Sequence, residues 1–288
     1  MIQPLTRKKV LQMKIDGHTH TELCPHGSHE PTTLMIERAI KLGFDHYCIT
    51  EHAPLPKGFE KKYHGKLEGL TTASLAWNQL DDYFALTDQL KEKYQGQIKI
   101  SVGFEVDYLP GFEAQIRDFM DQVGPKTQQN ILSIHFMPGK DNGLWCVDDT
   151  IEDFAAGFGQ WLAEPQKLYH HYFELVIKEV AADLGKYQPQ RIGHMNLIQK
   201  YQDYFGLPAE FDEENLKLIR QILSLIKKQG RQLDFNTAGL YKPYCNQFYP
   251  GKQITRMAEE MDIPLVFGSD AHAIIDVGHG WHLRSLFK

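Results

Sequence analysis

The chain has 288 residues, 42% hydrophobic and 24% charged, with 23 glycines and 14 prolines, so an ordinary core can be buried without cross-links. A formal charge of −6 argues against a surface built to neutralise a phosphodiester backbone, and no nucleic-acid partner is expected. No apolar run reaches the roughly 18 residues that a membrane span requires.

The opening MIQPLTRKKVLQMK is basic but lacks the apolar stretch of a secretory signal. The four cysteines, Cys24, Cys48, Cys146 and Cys245, form no CxxC pair and read as reduced thiols of a cytoplasmic protein.

In chain order, short β-rich runs alternate with helical patterns. QMKIDGHTH predicts a first strand, PTTLMIERAIKLG a helix, HYCITEH a second strand, and LAWNQLDDYFALTDQLKEKY a second helix. IKISVGFEVDY is the third strand, followed by helical GFEAQIRDFMDQVG; NILSIHF is the fourth, followed by QKLYHHYFELVIKEVAADLG. RIGHM, helical DEENLKLIRQILSLIKKQG, strand QLDFNTAG, helical QITRMAEEMD and strand IPLVFGSDAH complete the series. No linker or low-complexity tract interrupts it. Such alternation favours a parallel sheet, and DGHTHTELCPHG carries no phosphate-cradling glycine loop, so a barrel is preferred over a nucleotide-binding open sheet. Residues 53–73, with several lysines, and 138–163 read as long connections, either walls of a site or solvated excursions.

Metal-type side chains recur where these strands end. His18 and His20 close the first strand and His52 the second. Glu105, His135 and His194 lie toward the ends of the third, fourth and fifth, and Asp270 and His272 end the seventh. In a parallel barrel those ends share one mouth. The spacing of two within His18/His20 and Asp270/His272 turns each pair to one face. Adding His26 gives nine candidates, which suit three ions if Glu105 bridges two of them, since a catalytic site uses about three protein ligands per ion. Imidazole and carboxylate without thiolate suit Zn, Mn or Fe alike. Cys24 reads as a packed neutral thiol, and Asp16, in phase with His18, as a residue orienting a ligand from behind. Asn236 either faces substrate or caps its strand. His64 and Lys62 share the basic loop and are weak candidates for substrate contact. The remaining histidines, His29, His46, His170, His171, His279 and His282, read as structural or solvated.

The ordered set DGHTH, Glu51–His52, GFEVDY, SIH, IGH and GSDAH resembles the polymerase-and-histidinol-phosphatase (PHP) family. More narrowly, DGHTHTELCPHG with EHAPLP, GFEVDY and DFNTAGL is similar to the histidinol-phosphate phosphatases of histidine biosynthesis. The resemblance runs from about residue 13 to the C-terminus and leaves 1–12 as an extension without a role. It implies α/β architecture, a distorted, TIM-like (β/α)7 barrel forming a single domain over 1–288, with a trinuclear divalent-metal centre. His18, His20, Glu105 and Asp270 would hold one ion, Glu105, His135 and His194 a second, and His26, His52 and His272 a third. The implied reaction is hydrolysis of the small phosphate monoester L-histidinol phosphate by a metal-bridging hydroxide, with Glu105, Asp270 and His272 as catalytic groups. The alternatives are a PHP-type phosphodiesterase or nuclease, a phosphatase of another small phosphorylated substrate, and a metal-storage or sensing protein.

Overall fold

A computed structural model describes residues 13–286; the 1–12 extension lies outside the described residues. Strand β1 (Ile15–Thr19) leads to helix α1 (Thr32–Lys41), β2 (His46–His52), α2 (Leu80–Lys93), β3 (Lys99–Asp107), α3 (Glu113–Val123) and β4 (Ile131–Ser133). A hairpin of β5 (Phe136–Pro138) and β6 (Leu144–Cys146) follows, then α4 (Ile151–Phe158) and α5 (Pro165–Ala181). The chain continues through β7 (Arg191–Ile192), α6 (Glu213–Gln229), β8 (Gln232–Asn236), α7 (Gly251–Glu260) and β9 (Leu265–Gly268).

Seven strands form one sheet in the order β1-β2-β3-β4-β7-β8-β9, and each pairing within it is parallel. The first and last strands meet at a parallel bridge between Thr19 and Ala271, reinforced by His20 N–H donating to the Ala271 carbonyl at 3.0 Å. The sheet is thereby nearly closed as a barrel. Parallel strands covered on both faces lie away from solvent, and all seven residues of β2 are buried although four of them, His46, Thr50, Glu51 and His52, are polar. Surrounding helices bury one face each. In α6, Ile219, Ile222, Leu223 and Ile226 recur at helical spacing; Asp212 caps its start by accepting from Asn215 N–H at 2.9 Å, and left-handed Gly230 ends it.

Pairing stops earlier at the mouth than the sequence suggests. β7 has two residues and β9 ends at Gly268, so His194, Asp270 and His272 stand on the loops just beyond their strands. The stretch 138–163, expected to be irregular, contains most of the β5–β6 hairpin and all of α4. Strands of three residues are too short to register as a periodic pattern. The basic connection 53–73 also holds a short helix, Leu67–Thr71, and Tyr63 bridges to Leu144, so the two long connections lean on each other. No helix among the described residues is long and apolar enough to cross a membrane.

Candidate metal centre

The strand ends bring the nine sequence-selected residues to the barrel mouth, around the Glu105 carboxylate. In parallel register His52 sits opposite Glu105, which places the end of β2 beside the outer part of β3. Glu105 Oε1 lies 2.8 Å from His194 Nε2 and 3.6 Å from His135 Nε2. Its other oxygen, Oε2, lies 3.2 Å from His18 Nε2, 3.2 Å from His52 Nδ1 and 3.8 Å from His20 Nε2. One buried carboxylate thus faces two separate histidine groups. Asp270 Oδ1 approaches His20 Nε2 at 3.1 Å and His18 Nε2 at 3.6 Å, with His272 Nδ1 also at 3.6 Å.

Five rings share one orientation. His18 Nδ1 faces Asp234 at 2.7 Å, His20 Nδ1 faces Glu51 at 3.0 Å and His135 Nδ1 faces Asp107 at 2.9 Å. His26 Nδ1 faces the Thr72 carbonyl at 2.7 Å and His272 Nδ1 the Asp270 carbonyl at 2.9 Å. None of these oxygens has a proton to give when ionised or carbonyl, so each ring donates from Nδ1 and turns the Nε2 lone pair inward. His26 Nε2 and His272 Nε2 consequently confront each other at 3.1 Å, two lone pairs that repel unless a proton or cation lies among them. Two further ring nitrogens of the centre, His52 Nε2 and His194 Nδ1, are buried without a hydrogen-bond partner. Buried polar atoms are normally satisfied. Inward lone pairs, orphaned nitrogens and carboxylates in one cage fit the donor set of divalent cations.

The carboxylates also draw protons onto His20 and His135, in the place a cation would take. Burial depresses His20, but the Asp270 and Glu51 carboxylates outweigh it and raise the ring to about 9. Burial likewise opposes charge on His135, and Asp107 with Glu105 brings it up to about 10. Burial, seconded by nearby His20, drives His52 and His272 well below the usual imidazole range. Against its own burial, Glu105 is held well below the carboxylate range by His18 and His135. The anionic pole calls for positive charge that the rings supply unevenly.

Backbone geometry supports the arrangement. Asp270 has φ of 53°, the left-handed region that Asp tolerates better than most side chains. Its Oδ2 accepts from Asn236 Nδ2 at 3.1 Å. At Gly193 an added Cβ would fall 2.0 Å from Ser133 Oγ, and that hydroxyl donates to Glu105 Oε1 at 2.7 Å. Only glycine lets β4 and β7 approach closely enough to hold Glu105 this way.

The remaining candidates fall as follows. Among the described residues Asp16 makes no hydrogen bond to a histidine. It accepts from Ser269 N–H at 2.9 Å, from Ser269 Oγ at 2.7 Å and from Gly278 N–H at 3.1 Å, tying down the main chain next to Asp270. The ring-orienting carboxylates are Asp234, Glu51 and Asp107. Two of these were readable from strand parity, since Asp107 lies two beyond Glu105 and Asp234 two before Asn236. His64 and Lys62 stay outside the central cleft; the His64 ring packs near Trp145, 6.3 Å between centroids, because β6 draws that segment outward. Asn236 is buried at the mouth, bonded to Asp270 and Asp234. Cys24 is buried among His20, His52 and His272, and burial with Glu51 nearby pushes its thiol well up. Above the histidines opens a cleft of about 280 Å³, with Asp148, Asp149, Lys200, Lys242 and Tyr249 on its walls. No sequence pattern singled out those wall residues.

A nearly closed parallel barrel with a histidine–carboxylate cage at its C-terminal mouth defines an enzyme of the metal-centred barrel class. The chain belongs to the PHP domain family, which matches residues 16–238, with a PHP-associated segment at 252–283. It is 37% identical over 271 residues to the histidinol-phosphatase of Bacillus subtilis, covering 93% of this chain and 97% of the relative. A crystal structure of a provisionally named histidinol phosphatase from Listeria monocytogenes superposes with a TM-score of 0.91 at 45% identity, covering 94% of this chain and 99% of that one. A Lactococcus lactis histidinol phosphate phosphatase, crystallised with zinc, L-histidinol and phosphate, shares the fold at a TM-score of 0.66 and 19% identity, covering 95% and 93%.

Proposed function

We propose that this chain is a single-domain phosphomonoesterase that hydrolyses L-histidinol phosphate to L-histidinol and inorganic phosphate. It acts in the reducing cytoplasm, where its four unpaired, buried cysteines stay as thiols. The observation that carries the reading is Glu105, whose two oxygens face different histidine groups, beside the opposed Nε2 atoms of His26 and His272. The names of relatives that span nearly the whole chain supply the substrate.

Three divalent cations, Zn, Mn or Fe, are assigned as follows. His18, His20, Asp270 and Glu105 would hold one; Glu105, His135 and His194 would hold the second. His26, His52 and His272 would hold the third, with His52 standing between, its Nδ1 turned to Glu105. Bound there, such ions supply Lewis acidity and make hydroxide available near neutral pH.

The protein's own groups do the rest. Glu105, 1% exposed, keeps fixed negative charge between the two histidine groups. Asp270, 18% exposed, is the most accessible carboxylate of the cage, so it takes the proton of the attacking water and returns it to the departing alcohol oxygen. Asn236 holds Asp270 in place. His272, fixed through Nδ1 by the Asp270 carbonyl, presents Nε2 to the cation that would receive the phosphate end, and the cleft walls exclude bulk water from it.

The test is steady-state hydrolysis of L-histidinol phosphate beside other monoesters and a phosphodiester, with elemental analysis of the same sample. Preference for histidinol phosphate with about three metals per chain is expected. Faster diester cleavage would replace this reading with the phosphodiesterase one, and full turnover by metal-free protein would end both.

A further inference from the structure

We propose that Asp149 is the residue that recognises a positively charged amine on the substrate, so that the cleft selects cationic phosphate monoesters over neutral ones. This rests on the phosphatase reading and adds a determinant of specificity to it.

With the phosphate end at the histidine cage, the rest of a small substrate must lie against the cleft walls. Charge there is unevenly neutralised. Lys200 Nζ sits 3.1 Å from Asp148 Oδ2 and also donates to the Asp148 carbonyl, so that lysine and that carboxylate satisfy each other. Asp149 has no side-chain hydrogen bond or ion pair among the described residues, yet it lines the cleft. Partial burial, with Asp153 and Asp148 close by and Lys200 opposing them without forming an ion pair, raises its carboxyl above the ordinary range.

Its position is built. The Tyr201 hydroxyl donates to the Asp149 carbonyl at 2.8 Å and lies 3.1 Å from the Asp148 carbonyl, fixing the main chain that carries both acids. On the far side, a Cβ on Gly69 would fall 2.5 Å from Asp149 Oδ2, so glycine leaves the carboxylate its space. The next turn of that segment provides the Thr72 carbonyl that orients His26. The short helix Leu67–Thr71 thus links the Asp149 side of the cleft to the cage, holding Asp149 and His26 in one frame. A half-buried, pre-positioned carboxylate that no side chain pairs directly gains most from an ammonium that brings its own charge.

The experiment compares the metal-loaded wild type with Asp149→Asn and Asp149→Ala on two esters, L-histidinol phosphate and its deamino analogue 3-(imidazol-4-yl)propyl phosphate. The readout is the ratio of kcat/KM values. Wild type should favour the amine-bearing ester, and both variants should shrink that ratio by about 10- to 100-fold, mainly through KM. A folding defect lowers both esters by one factor and leaves the ratio intact; with metal content equal, that outcome overturns the proposal, as does a wild type indifferent to the amine. If wild type hydrolyses neither imidazole ester, the phosphatase substrate is wrong. The pair 2-aminoethyl phosphate and ethyl phosphate then reads the same charge preference, and equal rates there defeat the role of Asp149.

Discussion

His18 Nδ1 and Asp234 Oδ2 lie 2.7 Å apart across 216 residues of chain. The contact joins β1 to β8 inside the barrel and fixes which ring nitrogen carries the proton. Asp234 is itself held, with Arg191 Nη1 3.6 Å from its other oxygen and Asn236 Nδ2 3.3 Å from Oδ2. Replacing it by Asn keeps the shape and removes the charge that makes His18 a strong donor through Nε2. Metal affinity should fall by about 10- to 100-fold. Competition with a chromophoric chelator measures this, and an unchanged dissociation constant would show that the pair is structural only.

Glu105 makes a sharper case. Asn130 Oδ1 and neighbouring strands hold the backbone of this part of β3, and the carboxylate is the one group facing both histidine sets. Glu105→Gln retains size but gives one side an amide N–H where a lone pair was needed. Activity should drop by more than about 100-fold, beyond the usual cost of removing a supporting partner, and two ions rather than one should be lost. Elemental analysis of the purified variant counts them.

Metal removal should also be visible in stability, since an ion that binds only the folded state adds about 2.7 kcal/mol at a hundredfold excess over its Kd. For a chain of this size, with an unfolding entropy of about 0.6 kcal/mol/K, that corresponds to roughly 4–5 °C in Tm per ion. Calorimetry in chelator, then after adding back Zn or Mn, checks the shift. Identical transitions in both would mean the cage is stable without cations.

Gly193→Ala tests the approach of β7 to β4. The methyl would overlap Ser133 Oγ, whose hydrogen bond orients Glu105. Overpacking of this kind costs about 1–3 kcal/mol. Denaturant unfolding should show that loss together with weakened metal retention. Normal metal content with lowered stability would separate packing from the site.

What the sequence revealed and what it withheld follow from the range of each interaction. The spacing of two in His18/His20 and Asp270/His272, and the recurrence of His, Asp or Glu at strand ends, are local features that a parallel barrel converts into one cage. Asp107 and Asp234 shared that parity and could have been chosen with it. Glu51 could not, because it neighbours His52 on the alternate face and reaches His20 only over the strand's end. The cleft wall was hidden for another reason. Asp149 and Lys200 come from connections with no periodicity, brought together by a hairpin whose strands have three residues each.

His46 tests a titration far from the cage. Its ring is buried at the opposite end of β2, with Nε2 2.8 Å from Ser101 Oγ. Burial first, then Lys99 and Arg191, lowers it to about 4. The unfolded chain takes up that proton near pH 6.5, so between about pH 6.5 and 4 the unfolded state holds more protons than the folded one. Stability therefore falls as pH drops through this window, and this ring adds no slope above it. The histidine cage contributes its own acid sensitivity, but that is common to wild type and a His46→Gln variant and cancels in their difference. Denaturant unfolding at pH 7, 6, 5 and 4 should give a shallower acid loss for the variant, by up to one proton's worth of slope. Parallel curves would show that His46 is already charged in the fold.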